Sequence, residues 1–298
     1  MQDSQDGLRQ AAQAGLATIS VLVAAALAAT TGFAQSAAPD KSSYTLFNPT
    51  PTELLRSFNT DRPTKSNVPF TVDAGHFQYE LDVANFFHQQ TGVATLNSIT
   101  AVNTWLKFGI NNSIDLEINL PAPQAIETRI RATGSKTTAS GFNDTFVRAK
   151  FNLWGNDGGP SAFTIEPTLK VPTAARGLGN GAVEGGVLSL LSFSLPGNTT
   201  LLFNNEVDHL KDLAGNGYHT NVAGLVNLSR PIFKDVTLYG ELWTAQNYDP
   251  TRTIRQYSID TALAWTIRPN TQVDIGANFG LNSNTPAVQA YVGLAQRF

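Results

Sequence analysis

The residues that decide the fold are 288–298, which read Val-Gln-Ala-Tyr-Val-Gly-Leu-Ala-Gln-Arg-Phe. One face of this extended stretch carries the apolar residues Val288, Ala290, Val292, Leu294 and Phe298. Polar side chains such as Gln289 and Arg297 lie on the opposite face. Because the side chains of a strand alternate between two faces, one face is suited to lipid and the other to water. A strand of this kind that ends on an aromatic residue is typical of the last strand of a bacterial outer-membrane barrel.

The same alternation recurs along most of the chain. It is clearest at 114–120, where Ile114, Leu116 and Ile118 alternate with Asp115 and Glu117. Strict alternation of this kind indicates strands and not helices. We count about twelve strands of roughly ten residues each, which is the length that a tilted strand needs to cross a bilayer.

The connections between these strands alternate in length, which is an independent signal. The longer connections are 86–98, 121–142, 172–183, 209–217, 247–255 and 282–287. The shorter ones are 109–112, 155–160, 196–199, 229–235 and 268–271. Outer-membrane barrels have long external loops and short periplasmic turns. The sequence therefore predicts an all-β fold, a transmembrane antiparallel up-and-down β-barrel of about twelve strands with an irregular N-terminal segment.

Three parts of the chain are predicted. Residues 1–34 resemble a secretory signal peptide, with an apolar core near 14–29 and small residues before a cleavage position after Ala34. An N-terminal membrane anchor is the alternative, although the apolar core is shorter than the roughly 20 residues of a spanning helix. Residues 35–72 are rich in proline and are expected to form an irregular periplasmic or lumen-filling segment, with a short helix near 53–58. Residues 73–298 are the predicted outer-membrane barrel.

The composition limits the range of functions. Charged residues make up only 14% of the chain and the formal net charge is −3, so there is no basic stripe for nucleic acid. The absence of cysteine excludes disulfides and cysteine-ligated metals. Pro167 is the one residue that conflicts with a barrel strand, because it cannot donate a ladder hydrogen bond, and a bulge or a split strand is expected there.

The polar face of the predicted strands supplies the candidate functional residues. The lumen-lining candidates are Glu80, Asp82, Lys107, Asp115, Glu117, Arg148, Lys150, Glu166, Lys170, Glu206, Asp208, Glu241, Asp260 and Asp274. One interpretation is that they pair across neighbouring strands and hydrate the lumen. The other is an electrostatic constriction that, because acids outnumber bases, weakly favours neutral or cationic solutes over anions.

Other chemistry has little support. No cofactor and no metal site is predicted; only His209 and His219, with Asp208 and Asp212, come near enough in sequence to be considered as ligands. No serine has a convincing histidine partner, so the protein is not expected to be an enzyme. The four tryptophans, Trp105, Trp154, Trp243 and Trp265, fit either the aromatic girdles of a membrane barrel or ordinary core packing.

Three short motifs carry a resemblance to a known family. They are Phe58-Asn-Thr-Asp-Arg-Pro-Thr-Lys65, Val72-Asp-Ala-Gly-His-Phe-Gln78 and Arg148-Ala-Lys-Phe-Asn-Leu-Trp-Gly-Asn156. Over roughly 56–298 the chain resembles the outer-membrane transporter family named for the meta-pathway of phenol degradation. The resemblance implies a barrel and a transport role but supplies no functional residues. Asp61-Arg62-Pro63 could plug or line the periplasmic mouth, or serve as a structural turn that caps the barrel.

Together these observations predict a bacterial outer-membrane channel for passive uptake of small aromatic or other apolar solutes. Its expected partners are membrane lipid and a small-molecule solute, with no nucleic acid. The alternatives are a structural or adhesive barrel with a closed pore, and a barrel enzyme of the phospholipase kind.

Overall fold

A computed structural model describes residues 39–298. The predicted signal peptide, 1–34, lies outside these residues. A short 3₁₀ helix at Thr52–Leu54 precedes the sheet, slightly earlier than the helix that the sequence predicts. None of the helices in this part of the chain is long and apolar enough to cross a membrane, a finding that has no bearing on β-barrels.

Fourteen strands follow within the described residues. They are β1 Phe77–Gln90, β2 Ala94–Asn111, β3 Ile114–Asn119, β4 Pro123–Ile130, β5 Lys136–Phe142, β6 Thr145–Trp154, β7 Ser161–Val171, β8 Glu184–Leu195, β9 Thr199–Lys211, β10 Tyr218–Phe233, β11 Val236–Asp249, β12 Arg252–Arg268, β13 Thr271–Gly280 and β14 Val288–Arg297. All pairings between them are antiparallel, and β1 pairs with both β2 and β14. The sheet therefore closes on itself and has no free edge along its circumference.

The fourteen strands occupy twelve positions around the barrel, because the strand is interrupted at two of these positions. Each position is called a stave below. β3 and β4 both pair with β2 in one register, since Trp105 faces Asn119 and Thr100 faces Gln124. β5 and β6 continue one another in the same way against β4 and β3. Pro121, between β3 and β4, has no N–H to donate, which accounts for the first interruption. The predicted closed antiparallel barrel of about twelve strands is confirmed.

Two local predictions are wrong. The predicted loop 121–142 is mostly strand, since β4 and β5 form a hairpin that extends the third and fourth staves. Pro167 neither splits nor bulges β7: its pairing with β8 is continuous through Pro167 and Val187. On the other side the ladder with β6 skips from the Arg148–Thr168 pair to the Phe151–Ile165 pair without a change of register. The missing N–H of Pro167 therefore interrupts the hydrogen-bond ladder with β6 but not the ladder with β8.

The outer face of the barrel is apolar. Leu242 and Ile275, for example, are each 60% exposed, and Val83, Ile99 and Ile259 also point outward. The inner face is polar, and polar or charged side chains make up most of the buried residues. A soluble protein would bury the first set and expose the second, so hydrocarbon must surround this barrel.

Candidate functional site

An irregular segment, residues 56–72, fills much of the barrel interior; it is called the inner segment below. Its residues bond to inward-facing side chains on eleven strands around the circumference, for example to Asp82 on β1, Asn204 on β9 and Asp274 on β13. Only a chain inside the closed sheet can reach strands on all sides. Each proline of the segment removes a backbone donor that would otherwise need a partner in this polar interior.

Asp61 is the centre of the most deeply buried charge cluster. Its carboxylate accepts hydrogen bonds from Lys107 on β2 and from Lys150 on β6, the latter at 2.7 Å. Its backbone N–H donates to Glu80 at 3.0 Å, and Glu80 also lies 2.7 Å from Lys107. Burial by itself would raise the pKa of Asp61, but the two ammonium groups outweigh it and hold that pKa well below its usual range.

Arg62 is fixed on the other side of the lumen. Its guanidinium donates to Asp274 from Nε at 3.0 Å and from Nη2 at 2.7 Å, and Nη1 pairs with Asp82. The wall makes room for it at Gly293, where an added Cβ would lie 1.9 Å from Nη2. The pKa of Arg62 is raised: burial opposes its charge, but the two carboxylates more than compensate.

The next residues of the inner segment are held on the remaining sides. Lys65 Nζ lies 2.5 Å from Asp260 and 2.9 Å from Ser258, over the ring of Trp243. The backbone N–H groups of Lys65 and Ser66 both donate to Glu241, each at 3.2 Å. Asn67 then exchanges hydrogen bonds with Asn204 and donates to Glu166.

Asp73 anchors the base of the inner segment near the short turns. Three cations surround this buried carboxylate: Lys41, Arg56 and Arg297, at 3.3 to 3.5 Å. Lys41 and Arg56 also bind Asp157 in the turn after β6, at 2.7 and 3.0 Å. Partial burial would raise the pKa of Asp157, but these partners lower it. The inner segment thus enters the barrel next to a fixed cluster of ion pairs.

The lumen-lining candidates divide by what they contact. Nine contact the inner segment: Glu80, Asp82, Lys107, Asp115, Lys150, Glu166, Glu241, Asp260 and Asp274. Glu117 lies 3.3 Å from Lys107 and 3.4 Å from Lys150, so it belongs to the same cluster. The remaining four, which have no hydrogen bond to the segment, are Arg148, Lys170, Glu206 and Asp208.

The partners that sequence reasoning did not assign are those on the inner segment. It considered Asp61 and Arg62 only as a turn or a mouth-lining element, and it gave no contact to Lys65 or Asn67. The predicted inner face carries more acids than bases, and buried acids require cations nearby. This surplus of acids could have indicated that cations from elsewhere in the chain lie in the lumen. Nothing in the strand pattern, however, identifies which residues of an irregular segment supply them.

Two sizeable cavities lie inside the barrel formed by the residues that the structure describes. An outer one of about 660 Å³ lies among the external loops and is lined by Thr91, Glu206, Trp243 and Asn284, among others. An inner one of about 340 Å³, the chamber, is lined by Arg62, Lys65, Trp105, Arg148 and further residues. On the periplasmic side lies a pocket of about 10 Å³. The Asp61 cluster forms a floor between the chamber and this pocket, since Lys107 lines both.

The tryptophans do not form one girdle. Trp154 and Trp265 are 41% and 54% exposed on the outer surface, in agreement with an aromatic belt. Trp105 and Trp243 instead line the two cavities, each beneath a cation, Arg148 at 4.3 Å and Lys65 at 5.0 Å from the ring centroid. Cation–π contacts of this kind fix both partners.

The histidine cluster at the outer loops differs from the one considered from the sequence. His219 Nδ1 lies 2.9 Å from Asp212 and 3.5 Å from Asp249. His209 is not part of it and stacks on Tyr218. Asp249 already accepts the N–H groups of Leu213 and Thr251, so the group closes an outer loop.

One solved outer-membrane channel supports the fold, and two further solved structures are similar at lower TM-scores. An outer membrane channel from Pseudomonas putida F1 is 12% identical, covers 80% of this chain and 100% of its own, and superposes with a TM-score of 0.57. The NanC porin is 11% identical, covers 72% of this chain and 98% of its own, with a TM-score of 0.48. The CymD monoaromatic hydrocarbon channel is 8% identical, covers 75% and 88%, with a TM-score of 0.45. No curated protein matches the sequence.

The family comparison agrees with the resemblance carried by the Asp61-Arg62-Pro63 turn and the motifs that follow it. Residues 60–298, from the inner segment through the last strand, match one family over most of the chain. With its closed sheet and apolar exterior, the protein is an outer-membrane β-barrel. It belongs to the family described as "Putative MetA-pathway of phenol degradation".

Proposed function

We propose that the protein is an outer-membrane channel for passive uptake of small aromatic or other apolar solutes, and that the inner segment is the plug that restricts its lumen. The observation that carries the proposal is the pair of cavities, about 660 and 340 Å³, which follow one another inward and end at the floor formed by Asp61, Lys107 and Lys150. A barrel with a purely structural role in the membrane does not require interior cavities of this size.

The proposed solute class follows from size and from the family. A cavity of 340 Å³ is at the lower end of the range that holds small molecules, so it suits compounds the size of one aromatic ring. The family's description refers to phenol degradation, which supports aromatic solutes. The lumen-lining candidates act in this proposal by holding the inner segment and by lining the chamber.

A closed structural barrel is the second candidate, because the pocket below the floor is only about 10 Å³. Passage requires the floor to yield, by displacement of the inner segment or of the lysine side chains. The enzyme alternative receives no such support. Within residues 39–298 the hydrogen bonds of His76, His88 and His219 go to carbonyl, amide and carboxylate oxygens, and none joins a serine.

Solute flux tests the proposal. The purified protein is reconstituted into liposomes, and the entry of 4-methylphenol and of benzyl alcohol is compared with that of a disaccharide and with protein-free liposomes. A channel of this kind accelerates entry of the aromatic compounds and excludes the disaccharide. Entry rates equal to those of protein-free liposomes would favour the closed structural barrel. Lipid hydrolysis by the same preparation would favour the enzyme.

A further inference from the structure

Arg148 on β6 is the one cation of the chamber lining that donates no hydrogen bond within residues 39–298. Its guanidinium carbon lies 4.3 Å from the centroid of the Trp105 ring, so a cation–π contact with the indole holds the group at the wall. Its side chain is 20% exposed and lines the chamber. The group is thus fixed in orientation and open to the cavity on one side.

The nearest acid does not satisfy Arg148. Glu166 Oε1 lies 3.7 Å from Nη1, too far for a hydrogen bond. The Nε atom is buried without a partner, and Arg148 donates no hydrogen bond to any residue between 39 and 298. A guanidinium offers five donors in a planar fork that matches a carboxylate. A buried group of this type is costly to leave unpaired, so the chamber contains an unused anion-binding geometry.

Each of the other charged groups that line the chamber has an ion-pair partner. Glu80 lies 2.7 Å from Lys107, and Glu117 lies 3.3 Å from the same ammonium. Arg62 binds Asp274 at 2.7 Å, and Lys65 binds Asp260 at 2.5 Å. A solute in the chamber therefore meets hydrogen-bonded cations on most sides and one cation, Arg148, whose ion pair with Glu166 at 3.7 Å includes no hydrogen bond, although the lumen as a whole carries more acids than bases.

We propose that the chamber recognises a small aromatic carboxylate, whose carboxylate oxygens accept hydrogen bonds from Arg148. The inference rests on the proposed function and specifies its solute class. A benzoate-sized acid matches a cavity of 340 Å³, and the amides of Asn85 and Asn103 lie in the same lining to bind a ring hydroxyl. A cationic solute is repelled by Arg148, and a neutral phenol leaves the guanidinium unpaired. Arg148 is a specificity-determining residue in this arrangement.

Binding is measured by titration calorimetry on the full chain in detergent, so that the result does not depend on flux. The probes are 4-hydroxybenzoate, its neutral counterpart 4-hydroxybenzyl alcohol, and inorganic phosphate. The wild-type protein is expected to bind 4-hydroxybenzoate about tenfold or more tightly than the alcohol, since charge-assisted bonds to a fixed guanidinium are strong. Phosphate binding as tight as that of 4-hydroxybenzoate would show an anion site without aromatic selectivity and would overturn the proposal.

Variants then assign the preference to Arg148. Arg148→Gln is expected to remove the tenfold preference while changing alcohol binding by less than about twofold, and Arg148→Lys to retain only part of it. Arg129→Gln, the same change at an exposed position of β4, is the matched control and should bind as the wild type does. Heat-modifiable migration on gels verifies that each variant is a folded barrel.

The outcomes separate this proposal from the channel function. Equal binding of acid and alcohol by the wild type overturns the carboxylate assignment even if liposome flux is observed, and that result needs no variant. A preference that survives in Arg148→Gln overturns the role of Arg148. A carboxylate preference that depends on Arg148, in a protein that shows no flux, supports the recognition site and refutes the channel.

Discussion

Arg62 and Asp274 form a two-pronged ion pair across the lumen, with Nε to Oδ2 at 3.0 Å and Nη2 to Oδ1 at 2.7 Å. The two residues are 212 positions apart in the chain, and Asp274 lies on the inner face of β13. Because Arg62 also pairs with Asp82 on β1, one side chain ties the inner segment to two strands on either side of β14. The position of the segment therefore depends on wall carboxylates more than on its own backbone.

Removal of this cation should loosen the inner segment. Arg62→Gln leaves two buried carboxylates without their partner, and breaking a buried pair on one side costs about 3–5 kcal/mol. Thermolysin cleavage within residues 56–72, followed by mass spectrometry on the detergent-solubilised protein, should accelerate strongly. The triple variant that adds Asp82→Asn and Asp274→Asn should recover part of the protection, because no unpaired charge then remains.

The control for that experiment is an ion pair outside the lumen. Lys136 and Glu127 lie 3.1 Å apart with side chains 54% and 38% exposed, so Lys136→Ala should alter stability by less than about 1 kcal/mol and leave cleavage unchanged. Equal protection of Arg62→Gln and the wild type would mean that the ion pair does not hold the segment.

A steric change at the wall should have a similar effect without altering charge. Gly293→Ala places a Cβ 1.9 Å from Arg62 Nη2 and 2.2 Å from its Cζ, and the guanidinium cannot move aside without losing Asp82 or Asp274. Gly240→Ala is the matched control, because an added Cβ there has no atom within 4 Å. Thermolysin should cleave the inner segment faster in the first variant only; indistinguishable rates would show that the close approach is not maintained in solution.

The strand pattern predicted the barrel because lipid imposes a single rule on every stave: apolar outside, polar inside. Ile114 to Asn119 obeys this rule and was predicted within a residue of its observed bounds. The hairpin of β4 and β5 was missed because it extends into the outer loops, where both faces of residues such as Lys136 and Thr137 are in water and alternation disappears. The bulge or split expected at Pro167 is wrong because a proline removes one hydrogen bond from the ladder but does not change the register of the strand.

Only those residues of the candidate site that lie on the barrel strands could be predicted from the sequence. Glu80, Asp82 and Asp274 lie on a periodic face, so their direction follows from the strand. The inner segment has no period, and the pairing of Arg62 with Asp274 depends on how an irregular chain turns at Pro63 inside the lumen. Long-range electrostatic complementarity of this kind is visible in sequence only as an unexplained surplus of inward acids.

Asp61 should keep the floor intact over a wide pH range. Its folded pKa is lowered, so its pairing with Lys107 and Lys150 contributes stability above the ordinary value of 3.8 and loses it only as the pH falls through the lowered pKa. The carboxyl carbon of Asp61, followed by its NMR chemical shift in the detergent-solubilised protein, should therefore show no protonation step from about pH 8 to pH 5. A protonation step of Asp61 between those values would contradict its assignment as the permanently ionised centre.

The outward face should tolerate charge poorly. Ile275 lies in the middle of β13 and is 60% exposed, so Ile275→Arg puts a cation near the bilayer centre at a cost of about 2–4 kcal/mol. Leu213→Arg, in an outer loop where the leucine is 64% exposed, should cost at most about 1 kcal/mol. Denaturant titrations of folding into lipid vesicles measure both. Similar small effects at the two positions would mean that water, and not lipid, contacts Ile275.

Single-channel conductance in planar bilayers tests most directly the claim that the inner segment restricts an otherwise open barrel. The wild type is compared with Arg62→Gln and Lys136→Ala under one salt condition. We predict a small conductance for the wild type and for Lys136→Ala, and a severalfold larger and more variable one for Arg62→Gln. Identical conductance in all three proteins, or none in any of them, would contradict the claim.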